Sequence, residues 1–336
     1  MNKLFIAGIL LMLALFGNTA ELIADKSVLA EKNCFGRDFA NYNTWRTFIS
    51  NKMAKKIKHV DRRAKRLANF EHQFTEADFN RFKAELSCRN FQYFVDGIKV
   101  QGFIIQPKNS TKKLPVLIYN RGGNGDYGRV VFASMMRNLF PVAEQGFVII
   151  GSQYRGTFSK NKGADDEFGG KDVDDVMALF KLIPNINGAD AERIGMLGAS
   201  RGGMQTYLTL KQTDQVKAIA VIAGKSDAIV GLKQRPNMEA VYRKRVPNYE
   251  QNRQAELEKR SVLYWLDKIP QDLPILLLHG MSDERVSVEQ SITLAAALEQ
   301  AGMPHKLVLY PGDDHGLSQN KAQATQEIVA WFDKYL

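Results

Sequence analysis

Cysteine is nearly missing from this 336-residue chain, which has two, Cys34 and Cys88, and histidine is scarce, with five. Neither cysteine has metal-ligand spacing or a catalytic neighbourhood, so thiol-built metal and catalytic centres are excluded. Proline is also sparse, with 10 residues, while 45% of the chain is hydrophobic and 24% charged. That balance excludes collagen, a coiled coil and general disorder. No stretch reaches the roughly 18 apolar residues of a membrane-spanning helix, and no repeat of about 20 to 50 residues marks a solenoid. What remains at this length is one large α/β domain with appendages, or two domains.

The longest apolar stretch lies at the start. Met1-Asn2-Lys3 precedes the uncharged, mostly apolar Leu4–Phe16, followed by Gly17-Asn18-Thr19-Ala20. This pattern predicts a secretory signal over residues 1–20 and export to the periplasm or beyond, with a membrane anchor or a buried core helix as alternatives. In an oxidising compartment Cys34 and Cys88 could pair and tie an N-terminal extension, residues 21–90, to the main domain; two buried free thiols are the alternative.

Acidic residues are nearly missing from 45–68, where nine basic side chains face a single acid, Asp61. Most of the formal net charge of +10 therefore belongs to one segment. Ile49, Met53, Ile57, Val60, Ala64 and Leu67 recur there at spacings of three and four, which predicts one amphipathic helix with a basic face. The face is either a solvated surface packed on the domain or a contact for an anionic membrane surface or acidic ligand. With no aromatic platform or binding module beside the charge, no nucleic acid partner is expected.

Beyond Cys88 the character changes. Phe91–Val95, an Asp96-Gly97 turn and Ile98–Gln106 read as a hairpin. Short apolar runs then alternate with helical patterns: strands at Val116–Tyr119, Phe147–Gln153, Ile194–Leu197, Ala218–Ile222, Ile275–His279 and Lys306–Tyr310, with helices near 130–144, 173–182, 203–211, 287–301 and 319–335. Such alternation builds a mostly parallel sheet with helices on both faces. Its ligands bind at the carboxyl ends of the strands.

Gly198-Ala199-Ser200-Arg201-Gly202-Gly203 follows one of those strands and opens a helix. A nucleophile on so sharp a turn needs glycine two positions away on either side, so that strand and helix can approach. Ser200 is the candidate nucleophile. A serine needs a base, and the base an orienting carboxylate. Asp283 follows the Ile275–His279 strand and His315 the Lys306–Tyr310 strand, in the chain order serine, acid, histidine. His59 and His72 lie in the N-terminal helices, His279 ends a strand as a structural residue, and His305 stands at the wrong end of its strand; Glu284, Asp313 and Asp314 shape loops. Oxyanion donors are expected from the Arg201 amide and from the Asn120–Gly125 loop, with Arg121, Gly122 and Gly123 as candidates and a plain strand-to-helix turn as the alternative. No metal or cofactor is called for.

These residues resemble the catalytic domain of the prolyl oligopeptidase family of serine peptidases, within the α/β-hydrolase superfamily. The resemblance spans about Phe91 to Leu336. It rests on the elbow, on Leu278-His279-Gly280 through Asp283 to Arg285-Val286, on Tyr310-Pro311-Gly312 through His315-Gly316, and on Gln153-Tyr154-Arg155-Gly156 followed by Phe168-Gly169-Gly170 and Asp174-Asp175-Val176. It implies an α/β-hydrolase fold over 91–336, with Ser200 as nucleophile, His315 as general base and acid, and Asp283 as orienting carboxylate. Family peptidases usually carry a β-propeller ahead of this domain, whereas here about 70 residues separate the expected signal from Phe91, so substrate gating is expected to differ. The family tyrosine of the oxyanion hole has no equivalent in register: Arg121 precedes the Gly122-Gly123 pair, with Tyr119 and Tyr127 displaced.

The reaction expected is acyl transfer to water on a small-molecule, peptide or ester substrate. A peptidase for small peptides or aminoacyl bonds, a carboxylesterase and a catalytically silent binding protein are the three readings. The polar segment 224–270 is expected either to cap the site or to form a surface excursion.

Overall fold

The computed structural model describes residues 21–158 and 165–336, so the expected signal over 1–20 lies outside the described residues. The strands are β1 (Lys32–Asn33), β2 (Leu86–Val95), β3 (Ile98–Pro107), β4 (Leu114–Asn120), β5 (Val148–Ser152), β6 (Ala189–Ala199), β7 (Val216–Ile222), β8 (Ile275–Gly280) and β9 (His305–Tyr310). Among the described residues they form one sheet in the order β1-β2-β3-β5-β4-β6-β7-β8-β9. The first three pair antiparallel, with β3 antiparallel to β5, and the six from β5 to β9 run parallel. The hairpin turn is where the Asp-Gly pair predicts it, with both residues left-handed (φ 51° and 74°), the geometry that suits twisted antiparallel strands.

The middle of the parallel sheet is largely apolar because both of its faces are covered. Every residue of β5 and β8 is buried. Alternate residues feed separate cores: Val116, Ile118, Ile150 and Met196 face one, while Leu117, Ile149 and Leu197 face the other. The helices are α1 (Tyr42–Lys56), α2 (Val60–Gln73), α3 (Glu76–Glu85), α4 (Phe132–Asn138), α5 (Phe140–Ala143), α6 (Asp172–Leu182), α7 (Arg201–Leu210), α8 (Ala228–Gln234), α9 (Glu239–Arg245), α10 (Tyr249–Lys259), α11 (Glu289–Gln300) and α12 (Lys321–Tyr335). Helices α6 to α11 pack on the first core, and α1 to α5 with α12 on the second.

Two expected helices are each broken in two. The periodic stripe predicts one helix through 45–68, but Ile57-Lys58-His59 separates α1 from α2, with Ile57 extended (φ −121°, ψ 110°). Aromatic packing overrides the aliphatic stripe. One straight helix would hold Trp45 and Phe70 about 37 Å apart, whereas the break folds α2 back until their ring centroids lie 4.8 Å apart. The Tyr42 hydroxyl then donates to the Phe74 carbonyl at 2.8 Å, while Val60 from the expected stripe is left 66% exposed. The helix expected over 130–144 divides at Leu139, where Pro141, in the first turn of α5, has no N–H to continue the ladder.

Cys34 and Cys88 are joined by a disulfide, with Cα atoms 5.3 Å apart. It fastens the segment before α1 to β2. The segment 224–270 holds α8, α9 and α10, and from the end of α9 Arg245 Nε donates to Asn124 Oδ1 at 3.3 Å, reaching the loop after β4.

Candidate active site

The candidate site residues lie in the loops after β4, β6, β8 and β9. Ser200 lies between β6 and α7 with φ 58° and ψ −122°, a conformation costly for a side chain and held here by its surroundings. Its N–H donates to the Ile222 carbonyl at 2.8 Å, and its own carbonyl accepts from Gly203 N at 3.0 Å. A Cβ on Gly202 would lie 1.9 Å from the Asn120 carbonyl oxygen, so only glycine lets α7 start this close to β4. A Cβ on Gly122 would lie 3.1 Å from Ser200 Cβ. The loop after β4 therefore runs directly beside the serine side chain.

Asp283 and His315 meet. His315 Nδ1 lies 2.6 Å from Asp283 Oδ2, which His279 Nε2 also approaches at 3.1 Å. The other oxygen, Oδ1, accepts from the N–H groups of Arg285 (2.8 Å) and Val286 (3.0 Å). Burial opposes the charge on Asp283, but hydrogen bonds from His279, His315 and Val286 outweigh it and hold the carboxyl well below its ordinary range. The carboxylate thus stays ionised while it fixes the ring of His315. Among the described residues no hydrogen bond joins Ser200 to His315; the serine stands on the same strand-end edge, two strands from β8.

The neighbouring acids have other work. Asp313 accepts from the N–H groups of Asp314, Gln319 and Asn320. Asp314 accepts from Gly316 N and Ser318, and Glu284 is exposed. His305 Nδ1 contacts the Met303 carbonyl.

The side chains of Arg121 and Arg201 are both turned inward. The Arg121 guanidinium is buried and donates to the carbonyls of Gln153, Gly122, Gly125 and Tyr127 and to Thr157 Oγ1, stapling the Gly122–Tyr127 loop to the end of β5. Any donor from this residue to the site is its backbone. Arg201 forms ion pairs with Asp166 (2.6 and 2.7 Å) and Asp172 (2.6 Å) and donates to the Gly123 carbonyl at 2.9 Å. Asp166 in turn accepts from Gly125 N at 2.7 Å, so elbow and loop share one carboxylate. Burial pushes the Asp166 pKa up, but Arg201 outweighs it and brings the value down to about 2.

Sequence reasoning missed this network, and also the contact of His279 with Asp283. The quoted Arg155 and Asp175 are explained by a buried pair: Arg155 Nη2 and Nε lie 2.8 and 3.0 Å from Asp175 Oδ1.

The family model for the prolyl oligopeptidase family matches residues 133–336, about three-fifths of the chain. The chain belongs to the prolyl oligopeptidase family. It is a serine hydrolase with an α/β-hydrolase fold. The chain is similar to the uncharacterized peptidase YtmA of Bacillus subtilis, 27% identical over 243 residues that cover 71% of this chain and 90% of that protein. It is 25% identical to Dipeptidyl-peptidase 5 of Porphyromonas gingivalis over 258 residues, 72% of this chain but 36% of that protein. The fold matches the uncomplexed acylaminoacyl peptidase of Pyrococcus horikoshii with a TM-score of 0.64 at 24% identity, covering 78% of this chain and 44% of that one. Against several family relatives, the chain thus spans little more than a third of their length.

Proposed function

We propose that the chain is a serine peptidase that hydrolyses small peptide or aminoacyl bonds through Ser200, His315 and Asp283. The observation that carries this reading is the 2.6 Å contact of His315 Nδ1 with a buried carboxylate, at the strand edge that also bears Ser200 on a strained elbow. With Nδ1–H given to Asp283, Nε2 of His315 is left free as the base. Bonds between serine and base tighten when substrate binds. Ser200 Oγ attacks the carbonyl carbon as its proton passes to His315 Nε2, and the tetrahedral oxyanion is held by the Arg201 amide and the backbone of Arg121, Gly122 and Gly123. The proton then goes to the leaving amine as the C–N bond breaks. Water, deprotonated by the same nitrogen, releases the acyl group and restores the serine. The names of relatives support a peptidase, Dipeptidyl-peptidase 5 among them.

A panel of short p-nitrophenyl esters, aminoacyl p-nitroanilides and casein tests the reading. Ser200-dependent turnover of the anilides and esters without casein digestion is expected; robust Ser200-dependent digestion of casein overturns the small-substrate assignment, and absence of turnover on all three overturns the activity. We also propose that the chain is exported and works in an oxidising compartment, a reading supported by the Cys34–Cys88 disulfide.

A further inference from the structure

Lys225 stands three residues beyond β7, and its backbone N–H points to the Ser200 carbonyl at 3.4 Å. Its ammonium lies 5.5 Å from the ring centroid of Phe168 and 5.7 Å from that of Tyr242. Among the described residues, no carboxylate comes within ion-pair distance of it. Residues 159–164, which are not described, contain neither Asp nor Glu. The acid nearest in sequence, Asp227, is occupied at the start of α8, where its Oδ1 accepts from the N–H groups of Ile229 and Val230.

The surroundings sharpen this imbalance. Arg201 is compensated by Asp166 and Asp172, but Arg235, at the end of α8, shows no carboxylate partner either among the described residues. Burial, with Arg235 and Arg201 nearby, lowers the Lys225 pKa to about 8. A partly buried cation set beside two aromatic rings with no carboxylate partner is under-compensated, and an anion placed against it gains more than it would at an open surface. Arg155 and Arg201 are matched by carboxylates and Arg121 by backbone carbonyls; among the described residues the Lys225 ammonium has neither.

We propose that Lys225 is a specificity residue that takes a carboxylate of the substrate close to the bond being cleaved. The enzyme then prefers acidic peptide or aminoacyl substrates to their neutral isosteres. This rests on the assignment of Ser200 as nucleophile. The carboxylate comes either from an acidic side chain on the acyl part or from the free terminus of the leaving part.

The test uses the full chain and pairs of isosteric substrates. Ala-Glu-p-nitroanilide against Ala-Gln-p-nitroanilide examines the acyl part, and tri-alanine against its C-terminal amide examines the leaving part. In at least one pair, the acid should exceed its amide in kcat/KM by about tenfold or more. Lys225→Met should collapse that ratio by a similar factor, and Lys225→Arg should retain most of it. A fluorophosphonate probe on Ser200 is run on every protein. Labelled wild-type enzyme with no preference in either pair, or a preference that survives Lys225→Met, overturns the inference and leaves the hydrolase standing. Wild-type protein that fails to label overturns both. If Lys225→Met alone fails to label, Lys225→Gln is scored by the same ratio.

Discussion

His279 and His315 are held by the same oxygen, Oδ2 of Asp283, at 3.1 and 2.6 Å. His279 Nε2 also faces the Val286 carbonyl at 2.9 Å, an acceptor only, so this nitrogen carries a proton and donates. Ser291 Oγ meets the other ring nitrogen at 2.7 Å. His279 therefore anchors the same carboxylate oxygen that His315 contacts. Replacing His279 by Gln should lower kcat by about tenfold to a hundredfold through misplacement of Asp283, with a much smaller change in KM. Steady-state kinetics on a p-nitrophenyl ester reads this split, and a change confined to KM would contradict it.

The triad assignment separates two adjacent acids. Asp283→Asn should cost about four orders of magnitude in kcat, because an amide can present its NH₂ to His315 and favour the wrong tautomer. Glu284→Gln, on an exposed side chain, should leave kcat within about twofold. Ser200→Ala should abolish turnover and probe labelling with little effect on the melting temperature. Wild-type rates in Asp283→Asn together with a loss in Glu284→Gln would reassign the acid.

Asp166 links the elbow to the loop beside the serine, and its lowered pKa gives that link a pH window. A carboxylate at about 2 when folded and about 3.9 when unfolded contributes roughly 2 to 3 kcal/mol of stability above pH 4. The contribution is lost as pH falls from about 4 through 2. The stability gap between wild type and Asp166→Asn should therefore be widest near neutrality and close over that interval. Thermal unfolding of both proteins from pH 2 to 6 measures the gap; one that stays constant would show that the charge of Asp166 does not support the link.

The disulfide closes a span of 54 residues that includes α1, α2 and α3. Loop closure of that length predicts that its removal costs about 2 to 4 kcal/mol. Urea unfolding with and without reductant checks the figure. On the export proposed above, intact-mass measurement of the mature protein should give a chain beginning near Glu21 with no alkylatable thiol. A mass that includes residues 1–20, with two free thiols, would contradict export and pairing together.

Much of the candidate site was legible because the patterns that mark it are local. A serine between glycines at a strand-to-helix junction, and an acid and a histidine each just past a later apolar run, are short-range patterns. Alternation of periods two and 3.6 likewise determined the sheet, its helices and the hairpin at Asp96-Gly97. Other features have no local signature. The chain turns at Ile57-Lys58-His59 because Trp45 must meet Phe70 and Phe74 across the fold, and no residue in the turn announces it. Arg201 finds Asp166 and Asp172, 35 and 29 residues away, only because the Asp166–Asp172 segment packs against the elbow. Lys225 is an ordinary lysine in the sequence; the tertiary structure sets it beside two aromatic rings with no carboxylate in reach among the described residues. Burial decides which charges must be matched, and burial exists only once distant segments have packed.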